Sequence, residues 1–214
     1  MFLGHFAVGF AAKRAAPYTS LGTLFAAAQL PDLVWPALVA MGVEEVRIAP
    51  GITAFTPLDF VSYPWSHSLL LVAGWAVLFG GLYWFLTRNS RAAVLLGILV
   101  ASHWVLDVVA HRPDLPLVPH GAPVGLGLWN SVPATLIIEG AMFALGVRMY
   151  AHGTRPLTRT GRWALVSFVV LLAAIYAGNL AGPPPSVTAI WMAGLFGGVL
   201  LIVWAAWIDR HRAR

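Results

Sequence analysis

The sequence predicts an all-α polytopic membrane bundle: one domain of about six spans, preceded by a short N-terminal half-helix. Three observations carry this reading. The chain is 59% hydrophobic and 10% charged, where a soluble domain is about 25% charged, and its mean hydropathy is +0.80. Five apolar runs reach the ~20 residues needed to cross a bilayer. The basic residues, Lys13 and otherwise arginines, fall between those runs, a placement that orients a membrane chain rather than binds nucleic acid.

The elements follow in order. "FLGHFAVGFAA" (2–12) is too short to cross and reads as a half-helix or re-entrant piece, allowed at membrane depth only against protein. Lys13 and Arg14 before a stretch ending "FAAAQ" imitate a signal peptide, yet the later spans make cleavage unnecessary for insertion. Residues 21–43 are long enough to span but carry Pro31, Asp32 and Pro36, which predicts a kinked or broken helix. The five runs are 67–86, 92–111, 131–150, 163–182 and 187–207. Residues 1–150 hold the polar motifs, and 151–214 add two plain spans. The sequence holds no internal repeat, and 44–66 and 112–130 read as loops.

Arginine placement orients the set. Lys13 and Arg14, Arg88 and Arg91, the 148–162 loop and the tail carry most of the basic charge. Alternating six spans puts all of them on the cytoplasmic side with the C-terminus. This predicts an integral protein of a bacterial or archaeal cytoplasmic membrane.

Seven polar residues stand in apolar surroundings: His5, Asp32, His67, His103, Asp107, His111 and Glu139. A charge in lipid costs several kcal/mol and marks function by default. The topology places all seven in the outer half of the bundle. His103, Asp107 and His111 recur every four residues, within about 80° on a helix. Imidazole and carboxylate at i and i+4 make a metal clamp that suits Zn²⁺ best, with Mn²⁺ or Fe²⁺ admissible. With no cysteine in the chain, any ion is held by nitrogen and oxygen. The number of donors points to two or three ions, or to one ion with supporting residues. Singly, each residue has a plainer reading: His67 as a packing residue, Asp32 as a helix cap, Asp107 and Glu139 as partners of Arg112. Asp59 and Asp114 read as turn residues, His152 and His211 as solvated ones. The convergence favours the metal.

The stretches "GHFAVGF", "QLPDLVWP", "YPWSHSLLL" and "SHWVLDVVAHRPDLP", in that order, resemble the YdjM-like family of predicted membrane-bound metal-dependent hydrolases. The match covers roughly residues 1–150 and implies that His5, Asp32, His67, His103 and Asp107 are ligands. The same order is similar to zinc-dependent phospholipase C, a helical fold with a three-zinc site. By that analogy His111 or His120, with Glu139, completes the set, although Thr135 stands where that family's His-x-x-x-Glu pair has its histidine.

The expectation is therefore a zinc hydrolase of phosphate esters, with Asp32 and Asp107 as catalytic carboxylates and a membrane lipid or lipid-linked substrate from the outer leaflet. Arg112 meets the phosphate, and His120, Trp129 and Asn130 line the mouth. The rival readings are a metal-ion or proton-coupled transporter, haem ligation by His67 with His103, and a membrane protein with a structural metal.

Overall fold

The computed structural model describes residues 1–213. It is an all-α bundle. The chain runs through α1 (Phe2–Ala12), α2 (Leu21–Ala28), α3 (Leu30–Ala40), the strands β1 (Glu45–Ile48) and β2 (Leu58–Ser62), and α4 (Pro64–His67). It continues through α5 (Leu69–Thr87), α6 (Ser90–Ala110), β3 (Leu115–Pro116), β4 (Pro123–Val124), α7 (Val132–Gly153), β5 (Arg155–Pro156) and α8 (Arg159–Gly178). The last elements are α9 (Val187–Met192), a π-helical turn (Ala193–Gly197), α10 (Gly198–Arg210) and β6 (Arg212–Ala213). The strands form three small antiparallel pairs. The hairpin β1–β2 fills what the sequence reading took for plain loop; its "EVRI" and "LDFVS" carry the β-branched alternation of short strands.

Among the described residues five helical stretches are long and apolar enough to cross a membrane: α5, α6, α7, α8 and the run Val187–Arg210. A sixth candidate is the pair α2–α3, bent by 59°. The bend falls at Gln29, not at a proline. Pro31 sits in the first turn of α3, where its missing N–H costs nothing, and Pro36 lies inside α3. α5 buries only Val72 and Gly80, and Val77, Leu78, Phe85 and Leu86 are all well exposed, an apolar face of the kind that meets lipid. α5 and α6 pair closely because Gly80 has no side chain: a Cβ there would lie 2.8 Å from the Ala93 carbonyl oxygen.

The short helix α1 is the centre of the molecule. At 11 residues it is about 16 Å long, and it is buried on nearly every side. Gly146 of α7 touches the Ala7 backbone, an approach that any Cβ would prevent. Phe6 and Phe10 meet Phe25 and Phe168 through edge contacts of 4.8 to 6.4 Å, forming an aromatic plug. Past that plug Lys13 Nζ pairs with Asp209 Oδ2 of α10 at 2.5 Å, and Tyr150 donates to Asp209 Oδ1. Opposite, the start of α1 reaches the polar residues of α6.

Candidate metal centre

Four elements bring the cluster together. α1 supplies His5, the first turn of α3 supplies Asp32, α4 supplies His67, and α6 supplies His103 and Asp107. His103 and Asp107 stand one turn apart, so both point from α6 to the same side. All but Asp32 are buried; the Asp32 side chain is 42% exposed.

The distances fit a shared cation. His103 Nε2 lies 3.1 Å from Asp107 Oδ2 and 3.8 Å from Asp32 Oδ1. His67 Nε2 lies 3.5 Å from Asp32 Oδ1 and 3.8 Å from Asp107 Oδ2. Bonds of ~2.1 Å at tetrahedral angles separate ligand atoms by roughly 3.3 Å. Asp107 Oδ1 turns the other way, to His5 Nε2 at 3.1 Å and to the amino group of Met1. Two groups among the described residues therefore have metal-ligand spacing: Asp32, His67 and His103, and His5, His103 and Asp107.

The hydrogen bonds behind the imidazoles decide what they present. His103 Nδ1 lies 2.9 Å from the Ala28 carbonyl oxygen, which can only accept. Nδ1 therefore carries the proton, and in the neutral ring Nε2 carries a lone pair. That carbonyl is free because α2 ends there. His67 Nδ1 lies 2.7 Å from Ser66 Oγ, which donates its own proton to Glu44 Oε2 at 2.6 Å. His67 Nδ1 must then donate, and its Nε2 is also a lone pair. Glu44 is held in turn by the backbone N–H groups of Trp65 and Ser66. The next residue, Ser68, caps α5 by accepting from Leu71 N–H. In the neutral rings two lone pairs thus face two carboxylates, an arrangement that repels unless a proton or a metal cation lies between them.

His103 Nε2 indeed has no hydrogen-bond partner among the described residues. His5 stacks flat on His103 with ring centroids 3.7 Å apart, and among the described residues its Nε2 meets Asp107 while its Nδ1 has no hydrogen-bond partner.

The other expected residues lie elsewhere. His111 does not extend the α6 stripe. The helix ends at Ala110 and His111 is its extended cap. Its Nδ1 meets Asp114 Oδ1 at 2.9 Å and the Tyr63 hydroxyl at 3.2 Å, and its ring packs on Trp129 at 4.4 Å. Burial holds the His111 imidazole below its ordinary pKa, against the pull of Asp114, and pushes the Tyr63 phenol up. Glu139 caps α1: its Oε2 accepts from Leu3 N–H at 2.8 Å and Gly4 N–H at 3.3 Å, so it positions His5. Its Oε1 is buried without a hydrogen-bond partner among the described residues. Arg112 is engaged by Asp59 at 2.5 Å and Asp114 at 3.0 Å and ties that loop to β2, rather than standing free for a phosphate. Trp129 is buried among aromatic rings, while Asn130 and His120 are exposed; among the described residues no contact brings His120 or Asn130 to the cluster. Sequence reasoning did not single out Glu44 and Ser66; the signal was the "SHS" triplet, in which one serine orients the histidine and the other caps the next helix.

Beside Asp32 opens a cavity of about 680 Å³ between α1 and α3 on one side and α8 to α10 on the other. No protein-family model matches this chain, and no curated protein or solved structure matches it either.

Proposed function

We propose that this chain is an integral-membrane, metal-dependent hydrolase acting on a phosphate ester of a lipid or lipid-linked molecule. One observation carries the reading: hydrogen bonds from behind fix the tautomers of His67 and His103 so that both Nε2 lone pairs face the carboxylates of Asp32 and Asp107. Those four residues would hold a first divalent ion, with zinc the best chemical match to a nitrogen and oxygen donor set. Asp107, with His5 on its far oxygen, is suited to bridge to a second.

Such an ion would supply Lewis acidity toward a phosphoryl oxygen and a nucleophile at neutral pH. The chain's own residues do the rest. Asp107, with both oxygens engaged by histidines, would serve as a ligand. Asp32 would offer the ion its Oδ1, and this partly exposed carboxylate would keep its other oxygen to take a proton from an attacking water. The buried imidazoles and the aromatic plug keep bulk water from the inner side. That plug also argues against a permeation path, because Phe6, Phe10, Phe25 and Phe168 fill the bundle directly beneath His5.

The order of the motifs supports the same reading through its resemblance to the YdjM-like hydrolases, and arginine placement supports a site at the outer face with the C-terminus in the cytoplasm. Metal analysis of the purified protein tests the proposal. Wild type is expected to carry at least one divalent ion per chain and to cleave a phosphodiester lipid. The double variant His103→Ala with Asp107→Ala is expected to lose both. A metal-free wild type that gains no activity from added zinc, manganese or iron would sink it.

A further inference from the structure

The cavity beside Asp32 has a division of polarity that nothing in the metal centre requires. Its walls are apolar along most of their extent, including Phe6, Leu33, Ile190 and Leu201. Its polar lining includes Thr56 and Asn179 at other walls, and Gln29, Asp32 and Trp35 along the first half of α3. There Gln29 and Trp35, 6% and 8% exposed, leave Gln29 Oε1 and Trp35 Nε1 without hydrogen-bond partners among the described residues. One is an acceptor and the other a donor, and leaving either buried and unpaired costs roughly 1–3 kcal/mol. A volume near 680 Å³ falls within the roughly 300–1,000 Å³ of sites that enclose a small organic ligand.

The far wall is built to leave this space open. Gly194 and Gly198 pack against α3, where a Cβ would lie 2.6 Å from Pro36 Cγ and 2.8 Å from Leu33 Cδ2. Gly197, between them on the π-helical turn, and Gly178 at the end of α8 also line the cavity, yet a Cβ at either meets nothing within 4 Å. π-turns recur at functional positions, and here the turn belongs to the spans in which the sequence offered no motif.

We propose that this cavity binds one hydrocarbon chain of a single-chain lipid whose hydroxyl-bearing head lies at Gln29, Trp35 and Asp32. Two hydroxyls on the head meet these needs: one donates to the Gln29 oxygen and accepts from the Trp35 N–H, and the other donates to the Asp32 carboxylate. The chain lies along α9, the π-turn and α10. As a substrate pocket the site rests on the hydrolase reading; as a lipid-binding site it is tested without turnover.

The test is photolabelling of the full chain in phosphatidylcholine nanodiscs with 1-palmitoylglycerol carrying a diazirine at the chain end. Label is expected in peptides covering 29–40 and 187–202. Gly197→Phe and Gly178→Leu, each placed in open space, are expected to reduce it at least tenfold while leaving divalent-metal content unchanged. Gln29→Leu is expected to raise the half-saturating probe concentration about tenfold. Label confined to the lipid-facing α5, or label unchanged by both glycine variants, overturns the proposal. Cavity label that persists in a protein shown to hold no metal upholds the lipid site while the hydrolase fails. Metal without cavity label does the reverse.

Discussion

Ser66 governs which nitrogen His67 offers. Its hydroxyl proton goes to Glu44, so it can only accept from His67 Nδ1. Ser66→Ala removes that acceptor, frees the imidazole to rotate or change tautomer, and leaves Glu44 Oε2 without its hydroxyl partner. Loss of such a supporting residue weakens metal binding by about 10–100-fold. Chelator competition on the purified variant is expected to show a loss in that range with helicity unchanged, and Ser66→Thr, which keeps the hydroxyl, is expected to restore affinity. Equal affinity in Ser66→Ala would mean that His67 is held by packing alone. The candidate ligands themselves are legible in the sequence because a histidine or carboxylate in an apolar run is costly. Glu44 is not, because it lies 22 residues from Ser66 and only the fold joins them. His111 shows the opposite failure. Four-residue spacing suggested a ligand, but Pro113 disfavours helix just before it, and α6 stops at Ala110.

At the scale of elements, α1 is a wedge whose placement decides whether His5 reaches Asp107. Two features seat it: the glycine at 146, which admits the Ala7 backbone, and Glu139, which caps its first turn. Gly146→Val must push α1 away from α7, an overpacking that costs about 1–3 kcal/mol. Its melting temperature is expected to fall, and its metal affinity with it. Gly140→Val, on the same helix where a Cβ meets nothing within 4 Å, is the control and is expected to leave both unchanged. Identical behaviour of the two variants would remove the wedge from the account. Apolar length revealed the long helices at once, since five runs of about twenty residues admit few other readings. The break in the first long segment was legible too, but its position was not. Pro31 is compatible with a first helical turn, so the chain bends one step earlier, at Gln29, and the Ala28 carbonyl becomes available to His103. The β1–β2 hairpin is too short to dominate the hydropathy of its surroundings, so the segment read as loop.

Over the whole molecule the two ends differ in kind. One end holds the imidazoles, carboxylates and hairpins. The other holds Lys13, Asp209, Tyr150 and Arg212 in a network joining α1, α7 and α10, together with Arg88, Arg91 and the arginines of the 148–162 segment. Between them runs the exposed apolar face of α5. A bilayer around that face would put the ends in different compartments, and the positive-inside rule predicts the arginine-rich end on the cytoplasmic side. The chain has no cysteine, so single-cysteine variants report cleanly. Ala122→Cys, in the exposed turn between β3 and β4, is expected to react with a membrane-impermeant maleimide on intact cells or spheroplasts. Leu157→Cys, exposed beside β5 at the arginine-rich end, is expected to react only after the membrane is permeabilised. The reverse pattern would turn the molecule over. The metal centre would then face the cytoplasm, and its substrate would have to come from the inner leaflet. Labelling of both sites in intact cells would mean that the apolar belt does not separate two compartments, and the membrane-spanning reading would fail with it.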